Sequence, residues 1–393
     1  MNEVRIALIR SRYTPFGGAE RFVESALAAL AEKGVTLTLI TREWKGPAER
    51  SVILCNPFHI GRLWRDRGFA RSVQKTIAGK KFALVQSHER IAGCDVFRAG
   101  DGAHAAWLEA RTRTQGRFAQ LATRFSPWHR YMLKAEAQMF ADPRLRAVIC
   151  ISRMVANDVR RFFRVPEEKL RVIYNGIDCD NFSPTLRELH RTPIREKLLI
   201  PAQATVFLFV GSGFDRKGVR QLLAAFASIP DKQIHLIIVG KDRKQNIYEM
   251  QAKALGINER VHFCGPQRDV RPYYGAADAF VLPTLYEPLS NAVLEALASG
   301  LPVVTSTRCG AAELITPGVN GFVCDALDVD ALALHMAALL DPALRDSASR
   351  AARSSVQHLT LSDMSNRYLR LYEELLSGGN ELSADDRNPL TCS

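Results

Sequence analysis

A chain of 393 residues is too long for one ordinary hydrophobic core and points to two domains of roughly 200 residues or fewer. Its composition, 47% hydrophobic and 24% charged, is globular and lacks any apolar run long enough to span a bilayer; its eight cysteines show neither C-x-x-C pairs nor paired histidine spacing, which argues against a zinc site or a disulfide framework and fits a reducing cytoplasm. A formal charge of +12 attracts phosphorylated substrates, anionic membranes and nucleic acid alike, but no helix-turn-helix, zinc or RNA-binding motif accompanies it, so nucleic acid is not expected as a partner.

The N-terminal VRIALIR reads as a first strand and not as a leader. Short β-branched runs follow at Val4–Arg10, Val35–Thr41, Phe82–Gln86 and Ala147–Ser152, then at Thr205–Gly211, His235–Gly240, Val261–Cys264, Ala279–Pro283 and Pro302–Thr305. Helical-period segments separate them, the rhythm of βαβ units and parallel sheets. Runs such as VFLFVG and LIIVG are apolar on both faces and need helices on both sides of the sheet, so the expected fold is α/β: two Rossmann-like, doubly wound domains facing a cleft. The turn-rich NGIDCDNFSP and the polar segment after it put the boundary near residue 182, giving domains 1–182 and 183–361. Ser362 is positioned to cap a last helix over 362–377, whose Met364, Tyr368, Leu371 and Leu375 share one face and are expected to pack back on the first domain. The polar tail 378–393 is expected to be disordered.

In open parallel sheets, ligands bind beyond the carboxyl ends of the strands, where helix N-termini offer free amides to anions. Three such loops carry chemistry. In TPFGGAE, Gly17 and Gly18 allow close backbone approach to a ligand, although a plain tight turn would use the same pair. GSGFDRKG fails as a dinucleotide fingerprint because Arg216 stands where glycine is required, and it is not a phosphate-binding P-loop. Its Arg216 and Lys217 instead offer adjacent cations to a diphosphate, or form a solvated basic turn. In EPLSNAVLE, Ser290 is an N-cap and Gly300 ends the helix, so Glu295 falls within an otherwise apolar helix. A carboxylate there costs on the order of several kcal/mol unless it meets a partner such as a ribose diol, an arginine or backbone. Glu287 precedes the same helix, and the amides of Leu289, Ser290 and Asn291 face a bound phosphate.

These three elements together resemble the GT-B retaining glycosyltransferases of family 4. FLFVGSGFDRKGVRQLLAAFASIP and YTPFGGAERFVESA further resemble the lipopolysaccharide core glucosyltransferase I group. The resemblance spans the chain to about residue 376. It implies an N-terminal acceptor domain, a C-terminal nucleotide-sugar donor domain and transfer of a hexose, glucose from UDP-glucose, to an inner-core heptose. Another UDP-sugar in polysaccharide or glycolipid synthesis, or a nucleotide-sugar epimerase, is the alternative. Carried over residue by residue, it gives Arg216 and Lys217 to the diphosphate, Glu295 to the ribose, Glu287 to the donor sugar, and Gly17 and Gly18 to the phosphates near the acceptor. It also implies a histidine facing the donor sugar: His104, with Asp101 close by, or else His88.

Asp178-Cys-Asp180 and Asp328-Val-Asp330 have metal-binding spacing, but each has a local reason for its aspartates. Arginine and lysine at the phosphates would replace the ion, so no metal or other cofactor is expected. Residues 107–134 interleave Arg111, Arg113, Arg117, Arg124, Arg130 and Lys134 with Trp107, Phe118, Phe125, Trp128 and Tyr131. Such a stretch lies on an anionic membrane, making the protein peripheral on the inner face of the cytoplasmic membrane, or packs its aromatics on its own domain.

Overall fold

A computed structural model describes residues 4–12, 35–44 and 51–377; Gly17 and Gly18, with the rest of their turn, and the tail 378–393 lie outside the described residues. The chain divides into two compact units, one of Met1–Gly176 with Leu361–Ser393, the other of Ile177–Thr360. The crossings therefore fall at Gly176/Ile177 and Thr360/Leu361 and not at 182 and 361. Ile177 is already a member of the second unit because its amide donates to the Leu359 carbonyl at 2.8 Å and it bridges Thr360.

In the first unit β1 (Val4–Ile9), β2 (Val35–Thr41), β3 (Val52–Leu54), β4 (Leu84–Ser87), β5 (Val96–Ala99), β6 (Ala147–Cys150) and β7 (Leu170–Val172) form a seven-stranded parallel sheet in the order β3-β2-β1-β4-β5-β6-β7. The described helices are α1 (Gly61–Gly79), α2 (His104–Thr112), α3 (Arg117–Phe125), α4 (Pro127–Phe140) and α5 (Arg153–Phe163). The basic stretch 107–134 is thus three helices with breaks at Arg113–Gly116 and Ser126, where the Ser126 side chain caps α4 and Pro127 takes its first position.

The second unit opens with α6 (Thr185–Lys197) and builds a six-stranded parallel sheet, β10-β9-β8-β11-β12-β13, from β8 (Thr205–Val210), β9 (Ile234–Val239), β10 (Val261–Gly265), β11 (Ala279–Leu282), β12 (Val303–Ser306) and β13 (Gly321–Cys324). Its other helices are α7 (Val219–Ser228), α8 (Gln245–Ala254), α9 (Arg271–Ala276), α10 (Asn291–Ala298), α11 (Val329–Ala338) and α12 (Pro342–Val356). β9 and β11 are buried at every position, as strands covered on both faces must be. Each sheet reverses its winding once, between β1 and β4 and between β8 and β11, and such switch points leave a crevice at the strand ends.

The chain then returns to the first unit as α13 (Leu361–Leu376). It starts one residue earlier than expected, so Ser362 lies in its first turn and is not the cap. Met364, Tyr368, Leu371 and Leu375 are buried against Ile6, Leu8, Leu84, Val96 and Ile149 of the sheet. Polar links reinforce this contact: Arg98 donates to Tyr368 Oη at 2.9 Å and Tyr372 Oη to Gln86 Oε1 at 2.7 Å, which satisfies the buried polar groups of β4 and β5.

Candidate active site

The loops of interest in the second unit leave the two strands that flank its switch point. After β8, Gly211 N bonds Val239 O and Phe214 N bonds Asp242 Oδ2, each at 2.8 Å, which fixes the loop that carries Arg216 and Lys217. Gly218 closes it with φ +76°, and a Cβ there would sit 1.9 Å from the Pro283 carbonyl oxygen, so only glycine fits. After β11, Leu285 N and Thr284 Oγ1 donate to the Arg216 carbonyl at 2.9 and 3.2 Å, binding the two loops to each other.

This backbone brings three of the expected site residues together. Arg216 Nη1 donates to Glu287 Oε2 at 2.9 Å and to the Tyr286 carbonyl at 2.9 Å, and Lys217 Nζ lies 3.0 Å from the same Glu287 oxygen. Two cations on one carboxylate leave a net positive charge at the strand ends. Glu287 is itself held by backbone bonds to Arg308 and Gly310 at 2.9 and 2.8 Å. Ser290 caps α10 by accepting from Val293 N, and the amides of Leu289 and Ser290 donate to no acceptor among the described residues. Asn291 opens the helix, half-buried. Glu295 sits one turn along α10, half-buried, with Tyr274 Oη donating to its Oε2 at 2.9 Å. Tyr274 is therefore a partner of this acid that linear spacing does not announce.

In the first unit His104 opens α2 and is buried, whereas Asp101 is exposed in the turn before it. His104 Nε2 lies 3.0 Å from His129 Nδ1, and His129 Nε2 lies 3.4 Å from Arg111 Nη1. An arginine only donates, so His129 Nε2 accepts, its proton sits on Nδ1 and is given to His104 Nε2, and the His104 proton is left on Nδ1. Burial, then the Arg90 charge and His129, hold the His104 pKa down at about 3, so the ring is a neutral donor. Beneath it, Glu136 Oε1 accepts from the His104 amide at 2.6 Å and from Arg90 Nε at 2.8 Å, while Arg90 Nη2 reaches the Gly102 carbonyl. Burial works against the Arg90 charge, but Glu136, Asp101 and Glu89 outweigh it and raise its pKa. His129, Glu136 and Arg90 were not singled out in the sequence because they are far apart along the chain and form no motif. His88, the other candidate, is buried beside Gln86 and Arg10, and burial with Arg98 and Arg10 holds it well below the usual imidazole range.

The aspartate triplets serve the backbone. Asp178 accepts from Asp180 N, Asn181 N and Asn181 Nδ2, and Asp328 caps α11 through Ala331 N. Among the described residues no group of three or more His, Cys, Asp or Glu side chains is placed to hold a metal ion.

Comparison with known proteins agrees with this layout. The Glycosyltransferase Family 4 model matches residues 16–181, and the Glycosyl transferases group 1 model matches residues 190–355. The chain is a GT-B glycosyltransferase. It is 27% identical to the lipopolysaccharide glucosyltransferase WaaG of Escherichia coli over 81% of this chain and 84% of that one. To the lipopolysaccharide core biosynthesis glycosyltransferase LpsE of Rhizobium meliloti it is 29% identical, over 90% and 95% of the two chains. The crystal structure of WaaG superposes with a TM-score of 0.78 at 25% identity, covering 95% of this chain and all of that one. Anabaena HepE, solved in complex with UDP-glucose, shares the fold with a TM-score of 0.70 at 19% identity, over 94% and 99% of the chains. Within this GT-B glycosyltransferase the group 1 domain holds the Arg216–Lys217–Glu287 cluster, and the family 4 domain holds the His104–His129 pair.

Proposed function

We propose that this glycosyltransferase moves glucose from UDP-glucose to an inner-core heptose of lipopolysaccharide, with retention of configuration and without a metal ion. The observation that carries the reading is the excess of Arg216 and Lys217 over Glu287 at the β8/β11 switch point, which suits a nucleoside diphosphate whose charge grows as it departs. The names of WaaG and LpsE and the UDP-glucose complex of HepE support the donor and the acceptor class.

In this reading the bond between the sugar C1 and the β-phosphate oxygen breaks, the acceptor oxygen bonds C1 on the same face, and the hydroxyl proton passes to the departing phosphate. Arg216, Lys217 and the amides of Leu289, Ser290 and Asn291 hold the diphosphate. Glu295 takes the ribose, steered by Tyr274, and Glu287 with His104 Nδ1–H reads the sugar, near Asp101. Gly17 and Gly18 are assigned, on the resemblance alone, to the phosphates near the acceptor. No side chain acts as a covalent nucleophile.

The acceptor is placed at the inner face of the cytoplasmic membrane, and α3 is the element that meets that surface. Phe118, Leu121 and Phe125 share one face of α3 by i, i+3, i+7 spacing and are 91%, 53% and 64% exposed, with Arg117 and Arg124 beside them. Trp128, by contrast, packs on its own domain, with Arg62 over its ring at 3.9 Å and its Nε1 on Asp66. No helix among the described residues is long and apolar enough to cross a membrane.

The test is a panel of UDP-sugars against truncated lipopolysaccharide acceptors, read by mass and run with and without EDTA. A gain of one hexose with UDP-glucose that survives EDTA is expected. Activity lost in EDTA and restored by Mg²⁺ or Mn²⁺ overturns metal independence. Turnover only with a different donor, or conversion of the donor without acceptor, overturns the glucose assignment. Flotation with anionic liposomes tests α3, and failure to bind at low salt removes the membrane role.

A further inference from the structure

At the opposite end of the second sheet from the Arg216 loop, α6 and α12 enclose a cavity of about 260 Å³ at the amino-terminal ends of β11 and β12. It holds several water-sized groups, each of about 30 Å³. Its floor is Asp278, a carboxylate with 1% of its side chain exposed that receives Arg195 at 2.7 Å, Arg191 at 2.8 Å and Arg187 at 3.1 Å. The three arginines stand four residues apart and so share one face of α6. Burial works to raise the Asp278 pKa, but Arg195 and Arg191 outweigh it and keep the group ionised.

One buried carboxylate cannot balance three guanidiniums, and α12 adds Arg345 and Arg350 against Asp346 alone. Arg187, Arg345 and Arg350 thus line the hollow with Asp278 and Asp346, while Arg191 and Arg195 already hold the Asp278 charge from behind. Much of their donor capacity is unspent. Arg187 bonds Asp278 and the Ala277 carbonyl through Nη1 only, and Arg345 bonds Thr205, Leu339 and Leu340 through Nη1 only, which leaves Nε and Nη2 of each for another acceptor. The Arg350 guanidinium has no ion-pair or hydrogen-bond partner among the described residues. Ser349 Oγ, on the same wall, donates to the Gly300 carbonyl at 2.6 Å and keeps its lone pairs turned to other donors.

From this we infer a second anion site: the cavity binds a phosphate monoester, with Arg187, Arg345 and Arg350 as its donors. A dianion offsets the charge excess better than a carboxylate, and the planar guanidinium fork matches phosphate oxygens in pairs. The site is separate from the diphosphate loops, which lie beyond the carboxyl ends of the same strands.

Calorimetric titration of the full chain with inorganic phosphate, using two variants, tests this. Binding is expected to weaken at least tenfold in Arg350→Gln, which is exposed and leaves folding intact, and to be kept in Lys217→Ala. The reverse pattern, with binding lost in Lys217→Ala and unchanged in Arg350→Gln, overturns the site, as does no binding at millimolar phosphate. Arg187→Gln provides a second variant, with its thermal melt checked so that loss of fold is not taken for loss of ligand. Cosedimentation with vesicles containing phosphatidic acid separates the sources: vesicle binding that Arg350→Gln abolishes assigns the phosphate to a lipid headgroup, and its absence alongside phosphate binding assigns it to a soluble monoester.

Discussion

In the second unit the polar groups past the strand ends are charged and reach the surface: Arg216 has 36% of its side chain exposed, and Lys217 shares Glu287 with it. In the first unit the two imidazoles past β5 are neutral and enclosed. His104 and His129 pass a fixed proton order inward from Arg111, above an Arg90–Glu136 pair whose carboxylate is 1% exposed. The first arrangement holds charge ready for a ligand that brings the opposite charge. The second holds a neutral donor rigid for a ligand that brings only hydroxyls. The two units thus divide charged groups from neutral ones.

The most severe way to break this division is to remove Glu136. Alanine there leaves Arg90 buried without its counter-charge and the α2 amides without their acceptor, so unfolding by urea should show a loss of about 3–5 kcal/mol. Unchanged stability would mean that the pair does not support His104. Next in size, Arg216→Ala or Lys217→Ala should lower kcat by roughly 10²–10³-fold with the fold intact, the scale for one preorganised charge stabiliser; turnover near wild type in both would remove the cations from the reaction. Gly218→Ala forces a Cβ onto the Pro283 carbonyl from a left-handed backbone, and should cost about 1–3 kcal/mol and reduce activity through the displaced loop.

The smallest effect sharpens the comparison through pH. In the second unit His235 Nδ1 lies 3.0 Å from His262 Nε2, and burial, then His262 and Arg260, lower His235 to about 4. His104 is lowered to about 3 from the same ordinary value of 6.5. Below 6.5 the unfolded chain takes up protons that these folded rings refuse, so stability is full above that pH and falls as pH drops toward 4 and then 3. Denaturation midpoints at about pH 7 and 5 should show this loss, and His235→Gln should make it shallower; an equal drop in the variant would clear His235 of any part in it.

What the sequence discloses follows the same division. The β8 and β11 loops are contiguous, and each residue in them has a local reason: a glycine at positive φ, a serine cap, a helix ended by Gly300. Arg216, Lys217, Glu287 and Ser290 could therefore be read in a line. The support of His104 could not, because Arg90, Arg111, His129 and Glu136 come from a loop and two helices and meet only through packing. Short strands such as Val52–Leu54 and Gly321–Cys324 were likewise missed, since three or four residues carry too little period to stand out. The aspartate triplets show the converse, a spacing suggestive of an ion whose carboxylates serve turns and caps.

The meeting of Ile177 with Leu359 and Thr360 has a practical consequence for engineering. The second unit enters and leaves through side-by-side backbone, so residues 177–360 form a cassette whose own ends touch. On the other side, Gly176 N reaches Met364 Sδ at 3.2 Å, so a few residues of linker from Gly176 to Leu361 should rejoin α13 to the first unit. Either piece can then be exchanged between relatives as a whole, with the Arg216–Lys217–Glu287 loops travelling in one part and the histidine pair in the other.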